Sequence, residues 1–289
     1  MTTTTRLPFF RYCFSSPSLS VYKKEKMNKS LILAIIFLIG IGWSNKKTIT
    51  KQDEMNLKNL FGFKTKPTIN SLKFSTFNWN LVEDAKYKKT WVNSEQTALV
   101  GIQFFDNHPT DIPAKLNDIN TIRNHYRNMV VEHLEGGLIR CEISDLKGYE
   151  AIEMIVKQPN QPSGMTYNGS FIIPFKGYNF VVKMQAVEAG MTGMREALTM
   201  DEWMKENGTP KTDENGKMIG FAKDPYDDNY SKGRLMNYSE KEEFDKDFPD
   251  HPLTIVRTKM KEIKESISCL LDTSPSPRDL STSRMPSSA

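Results

Sequence analysis

Hydrophobic and polar residues alternate, or apolar residues form short runs, in several parts of the chain. Phe77, Trp79 and Leu81 alternate with polar or charged neighbours, and residues 97–105 form a β-branched and aromatic run, so both stretches predict strands. Four further strands are predicted at 138–144, 149–157, 166–174 and 178–188. The links between them are short and rich in turn-forming residues, which favours antiparallel pairing because parallel strands need long crossovers.

A spacing of three to four residues replaces this alternation in three places and predicts helices. The first begins near Asp111, as N-cap, and ends at Gly136 and Gly137; the second covers 194–206 and the third 253–267. Burial is predicted for nine apolar side chains: Leu116, Ile119, Ile122, Met129, Ile152, Met154, Ile172, Val181 and Met184. The pattern predicts a single-domain α+β sandwich over residues 72–268, with an antiparallel sheet packed against helices.

Two segments between the second and third helices lack this periodicity. Residues 211–221 contain Asn215-Gly216, which predicts a hairpin. Residues 223–252 are irregular, and irregular segments longer than about 15 residues in a compact domain are usually functional or disordered. This one is too rich in aromatic residues for disorder. We therefore predict that it is ordered, packs against the Gly190–Arg195 turn, and supplies an aspartate that pairs with Arg195.

The N-terminal residues read as a targeting region, 1–43. Residues 1–26 are expected to be transit or upstream sequence, and 27–43 to be a signal peptide or anchor built on the apolar run Leu31–Trp43. That run is shorter than the roughly 18 residues of a spanning helix, which favours a signal peptide. Residues 44–71 are polar and Lys-rich and predict a linker. The domain is expected to be exported or membrane-anchored outside the cytoplasm, with organelle targeting as the alternative.

The net charge of +4 is concentrated in this N-terminal region. Residues 1–44 carry six basic residues and one acidic residue, whereas residues 45–268 carry 31 basic and 32 acidic residues. The domain thus lacks the basic excess typical of nucleic-acid binding, and no nucleic-acid partner is predicted. Cys141 is its only cysteine before the C-terminal segment, which excludes an intrachain disulfide there.

The C-terminal residues 269–289 read CLLDTSPSPRD, three further residues, and SRMPSSA. This run resembles a translated sequencing adapter. It is therefore expected to lie outside the domain and not to be part of the natural protein.

Three sequence stretches carry a resemblance to a protein family. EAGMTGMREA at 188–197, together with DPYD at 224–227 and FPDHPL at 248–253, resembles a family of uncharacterised bacterial proteins. The order of strands and helices is similar to the PsbP-like and DcrB-like α/β sandwich. The resemblance implies a sandwich topology but no activity, because function does not follow from fold.

The first candidate site contains Glu188, Arg195 and Glu196, at the turn from the last long strand into the second helix. A helix N-terminus and an arginine fork could bind an anion. The structural alternative is that Thr192 caps the helix, Glu196 lies near its positive end, and Arg195 pairs with Glu188.

Two further candidates lie in the irregular segment. Asp224 and Asp227 offer oxygen ligands that suit calcium, although DPYD equally describes a β-turn. His251 lies between prolines and near carboxylates, where it could act as a general base. Alternatively, His251 or Asp250 caps the third helix, with Pro252 in its first turn.

The sequence contains no recognisable catalytic or metal-binding motif. We therefore expect a non-enzymatic binding or assembly module for a protein or small-molecule partner, without a cofactor or bound metal. One alternative is a hydrolase-like or anion-processing enzyme that uses His251 as base and Arg195 as anion clamp. The other is a calcium-dependent scaffold domain.

Overall fold

The computed structural model describes residues 66–106, 112, 115–212 and 218–269, with a seven-stranded antiparallel sheet at the centre. The predicted targeting region, the signal-like run and residues 270–289 lie outside the described residues, as do Asp111 and Asn215-Gly216. Among the helices described, none has the length and apolar character needed to cross a bilayer.

The elements follow one another in the order that the sequence pattern predicts, with additional short strands. The strands are β1 Leu72–Lys73, β2 Asn80–Ala85, β3 Lys88–Val92, β4 Ala98–Asp106, β5 Gly137–Leu146, β6 Tyr149–Pro159, β7 Met165–Phe175, β8 Tyr178–Val187, β9 Ala222–Lys223, β10 Met236–Asn237 and β11 Ser268–Cys269. The helices are α1 Ile119–Leu134, α2 Met194–Asn207 and α3 Pro252–Ser266, and three single-turn 3₁₀ helices cover Ile69–Ser71, Tyr238–Glu240 and Glu242–Phe244. The large sheet has the order β2-β3-β4-β8-β7-β6-β5.

Both faces of this sheet are covered, and the strand pattern explains how. Ile172 of β7 pairs with Val181 of β8, and both contribute to the core under α1. The adjacent pair, Phe171 and Val182, belongs to the core under α3 on the opposite face. Because successive side chains point to opposite faces, an apolar run without polar alternation builds both cores. The predicted α+β sandwich is confirmed.

Helix α3 lies very close to the sheet at Gly169 of β7. A methyl group at this position would overlap the side chains of Met260 and Val256. The absence of a side chain therefore lets α3, whose N-cap is His251, pack against β7. Helix α2 instead packs on the 3₁₀ turn Tyr238–Glu240.

Three details of the sequence prediction are wrong. Residues 77–81 are not one strand, since Phe77 and Asn78 have positive φ and form a turn before β2. The β2–β3 hairpin was missed because β2 is largely exposed on both faces and shows no alternation. Helix α1 begins later than predicted, since the Asp118 carboxylate caps it by accepting from the Thr121 N–H.

Burial follows the predicted list closely. Seven of the nine predicted side chains are buried, whereas Leu116 and Ile119 are half-buried at the edge of the α1 core. Cys141 is buried as well, and desolvation raises the pKa of its thiol to about 12. Near the first and last residues that the structure describes, Ile69 is buried in the core, and Cys269 pairs with Leu72 in the short β1–β11 ladder.

Candidate functional site

The turn between β8 and α2 is held together by the Glu188 carboxylate. Glu188 accepts the backbone N–H of Met165 at 2.7 Å and that of Gly193 at 3.3 Å. Gly193 is the N-cap of α2 in a left-handed conformation, without a side-chain cap. The alternative in which Thr192 caps this helix is therefore wrong. Gly190 and Gly193 both have positive φ, which a residue with a side chain would adopt only under strain.

Arg195 extends from the first turn of α2 into the interior, where its side chain has no exposure. Its Nε donates to the Ser239 carbonyl, Nη1 to Thr254 and Nη2 to both the Lys241 carbonyl and the Asp245 carboxylate, at 2.6–3.0 Å. Nη1 also lies 3.5 Å from Nδ1 of His251. Four of the five N–H groups of the guanidinium thus donate to protein acceptors, and the fifth faces Nδ1 of His251.

The pairing of Arg195 with an aspartate of the irregular segment is confirmed, because Asp245 lies 2.8 Å from Nη2. The alternative pairing with Glu188 is wrong. Because the side chain has no exposure, Arg195 does not reach an anion in solution, and its contacts join α2 to the irregular segment.

His251 is the N-cap of α3, and its ring is oriented by the hydrogen bonds around it. Nδ1 accepts the Leu253 N–H at 3.2 Å, and Pro252 occupies the first turn, as the capping alternative predicted. In a neutral ring with Nδ1 as acceptor, the proton is on Nε2. Nε2 lies 3.6 Å from Oε1 of Glu188, and the ring stands edge-on to Tyr167.

His251, Glu188 and Glu196 form the only group in the described part of the chain with the spacing of a metal site. One potential ligand atom from each lies within 4.8 Å of the others. Nε2 of His251 and Oε2 of Glu196 are buried without a hydrogen-bond partner. A histidine that binds metal through Nε2 normally donates its Nδ1–H to an acceptor. Here Nδ1 faces the Leu253 N–H instead, so the group does not suit a histidine-ligated metal.

Asp224 and Asp227 both lie next to the same arginine, Arg127. The buried Asp224 accepts from Nη1 of Arg127 at 3.0 Å, and Asp227 lies 3.7 Å from Nη2. The Arg127 guanidinium also lies over the Tyr230 ring. A cation of the protein itself thus neutralises the carboxylates that the calcium alternative requires.

We call residues 222–251 the strap. Most of its acidic side chains pair with basic residues, and several of these cations belong to the sheet and helices: Arg127 of α1, Arg140 of β5, Lys157 of β6, Arg195 of α2 and Arg257 of α3. The Glu240 carboxylate is fully buried and accepts from Lys157 at 2.6 Å and from the Tyr167 hydroxyl at 3.0 Å. The sequence analysis identified only Arg195 among these five cations.

Beside the strap and the β8–α2 turn lies a pocket of about 390 Å³. Glu188, His251 and the inaccessible Arg195 contribute to its wall, and Met191, Met194 and Phe248 supply apolar surface. The structure thus brings together four of the six predicted site residues: Glu188, Arg195, Glu196 and His251. Asp224 and Asp227 stand apart with Arg127.

The ionisation of Glu188 can be tested through the pH dependence of stability. Burial raises its pKa, but the His251 side chain and the N–H groups of Gly193 and Met165 outweigh that effect, so the pKa lies below its usual value. Such a carboxylate stabilises the fold above its unfolded-state pKa of about 4.3, and this contribution is lost as pH falls through the folded-state pKa.

We therefore expect Glu188→Gln to lower the free energy of unfolding at pH 7 and to cost progressively less below about pH 4. Denaturant titrations of both proteins across this range would measure the difference. Glu202→Gln, at an exposed position of α2, is the control and should show little difference at any pH. A cost for Glu188→Gln that does not change with pH would contradict the assignment.

Comparison with known proteins gives no family assignment. No family model matches the chain, and no curated protein matches it. Among solved structures, it is similar to PA94 from Pseudomonas aeruginosa, a protein of unknown function described as a putative regulator. The identity is 10%, over 52% of this chain and 88% of that one, with a TM-score of 0.26.

Two further solved structures show a similarly weak likeness. The Ran-binding protein Mog1p from Saccharomyces cerevisiae has 7% identity over 69% of this chain and 86% of its own, with a TM-score of 0.33. LpqN from Mycobacterium tuberculosis, described as involved in cell envelope biogenesis, has 12% identity over 45% and 76%, with a TM-score of 0.24. Likeness at this level carries no argument about function.

Proposed function

We propose that this chain is a non-enzymatic binding or assembly module, and that its binding surface is the face formed by the β8–α2 turn and the strap. We further propose that the chain is exported, or held at a membrane through Leu31–Trp43. We also propose that its sandwich is similar to the PsbP-like and DcrB-like folds. The single observation that carries the proposal is how polar and apolar side chains are placed at this face. The polar side chains that could bind a ligand or act as acid or base contact other groups of the protein, whereas the apolar side chains are exposed.

Three apolar side chains of this face are exposed to solvent. The exposed fraction is 77% for Met191, 43% for Met194 and 56% for Leu198. Met194 and Leu198 are four residues apart on α2 and therefore share a helix face. Contiguous exposed apolar surface beside a pocket is typical of interaction sites, and methionine adapts readily to the shape of a partner.

The enzyme alternative receives support from one distance, the 3.5 Å between Arg195 and His251 beside the pocket. The hydrogen bonds argue against it. Nδ1 of His251 accepts the Leu253 N–H in capping α3. The fully buried Arg195 side chain donates to four protein acceptors. A general base needs a free lone pair and an anion clamp needs free donors, so we favour the binding module.

The proposal predicts that a double substitution, Met191→Asp with Met194→Asp, abolishes capture of a partner from the native extract by the full chain. The matched control is Leu81→Asp with Val82→Asp, which alters two side chains of similar exposure, 50% and 48%, on β2. Equal melting temperatures would show that both variants fold. If both variants retain the same captured proteins as the unmodified chain, this face is not the binding surface.

A further inference from the structure

The strap leaves two carboxylates without a cation. Asp224, Asp227, Asp228, Glu240, Glu242, Glu243 and Asp245 each have a basic partner within 4.0 Å. Asp247 and Asp250 are exposed and have no basic partner among the residues that the structure describes. They lie on either side of Phe248 and Pro249, and all four residues line the 390 Å³ pocket.

The pocket consequently has an excess of negative charge. Three acidic residues line it, Glu188, Asp247 and Asp250, against one arginine, Arg195, which is buried and paired with Asp245. His251 adds no second cation while Nδ1 accepts the Leu253 N–H. A ligand that carries positive charge would gain from this field, whereas an acidic peptide or an anionic lipid surface would be repelled.

The charge and the apolar surface are adjacent. Met191 and Met194 line the same pocket as Asp247 and Asp250, and Leu198 extends the apolar surface by one turn of α2. A segment that fits both features has apolar side chains on one face and lysine or arginine beside them. Amphipathic helices bind apolar grooves in this way, with charged residues at the rim setting the specificity.

We propose that the occupant of this surface is a basic amphipathic segment of a partner protein. Its apolar side chains would pack on Met191, Met194 and Phe248, and its cationic side chains would pair with Asp247 and Asp250. This inference rests on the proposed function and names the chemical class of the partner.

The test uses two labelled synthetic peptides and the full chain. One peptide has leucines on one helical face and lysines on the other, and the second has glutamate in place of each lysine. Fluorescence anisotropy should show that the lysine peptide binds at least about tenfold more tightly, with an affinity that falls as salt is added. Asp247→Asn with Asp250→Asn should weaken its binding about tenfold and reduce the salt dependence.

A second double variant tests whether the weaker binding comes from the pocket itself or from the overall charge of the protein. Asp84→Asn with Glu142→Gln removes two exposed carboxylates, on β2 and β5, that do not line this pocket, and it should leave the affinity unchanged. Equal weakening by the two double variants, equal binding of the two peptides, or no binding of either would overturn the inference. The proposed function fails on a different result, namely unchanged partner capture by the Met191 and Met194 variant.

Discussion

Replacing Arg195 with alanine is expected to lower the free energy of unfolding by about 3–5 kcal/mol, the usual cost of removing one partner from a buried ion pair. The substitution would leave Asp245 with Arg257 as its only guanidinium partner and the Ser239 carbonyl without the donor that Arg195 provides. It would also open a cavity where a fully buried side chain stands. Denaturant unfolding at neutral pH would measure the loss.

Two further substitutions provide reference values for the loss of stability caused by Arg195→Ala. Arg195→Lys keeps the charge but supplies fewer donors in a different geometry, so we expect an intermediate loss. Arg234→Ala removes an exposed arginine with one hydrogen bond, to the Glu135 carbonyl, and should cost less than about 1 kcal/mol. If Arg195→Ala proves as mild as Arg234→Ala, Arg195 does not anchor the strap.

Replacing Lys157 with methionine should also cost about 3–5 kcal/mol, because the fully buried Glu240 carboxylate would lose its cation. Glu240 would retain the Tyr167 hydroxyl and the Asn237 N–H. Burial, followed by the field of Glu240, raises the pKa of Tyr167 well above its usual value, so this hydroxyl keeps its proton and donates. One neutral hydroxyl and one amide cannot replace an ammonium group in a dry interior.

A double-mutant cycle tests whether Lys157 and Glu240 act as a pair. Glu240→Gln alone should be destabilising, since it leaves Lys157 buried without a carboxylate. The double variant should be more stable than the sum of the two single losses predicts, because it leaves neither charge unpaired. Additive losses would contradict a direct coupling between β6 and the strap.

The sheet could be predicted because burial on two faces leaves a strong sequence pattern. Strands β5 to β8 are apolar and separated by short polar turns, and helix α3 carries a clear apolar face. Strand β2 left no such pattern because it is exposed on both sides. The N-cap of α1 was misplaced because a periodic pattern locates helix ends poorly, and Asp118 is the residue that caps the helix.

The general position of the site could be predicted from the sequence, but most of the residues that pair with one another there could not. The length and aromatic content of the irregular segment indicated an ordered strap, and the position of Arg195 indicated a pairing with one of its aspartates. Neither feature identifies Asp245 in particular. Lys157 reads as an ordinary residue of an apolar strand, and an ion pair between residues 83 positions apart leaves no local pattern. Such partners follow from topology and not from sequence spacing.

Arg195 holds the strap against the body of the domain through its contacts with Ser239, Lys241 and Asp245. Amide hydrogen exchange of Arg195→Ala, compared with the unmodified chain under native conditions, tests it most directly because exchange reports local opening residue by residue. We predict faster exchange in the described amides between Asp224 and Asp250, with a smaller change in β6, β7 and β8. Unchanged exchange across the strap, in a variant of normal stability, would contradict the account.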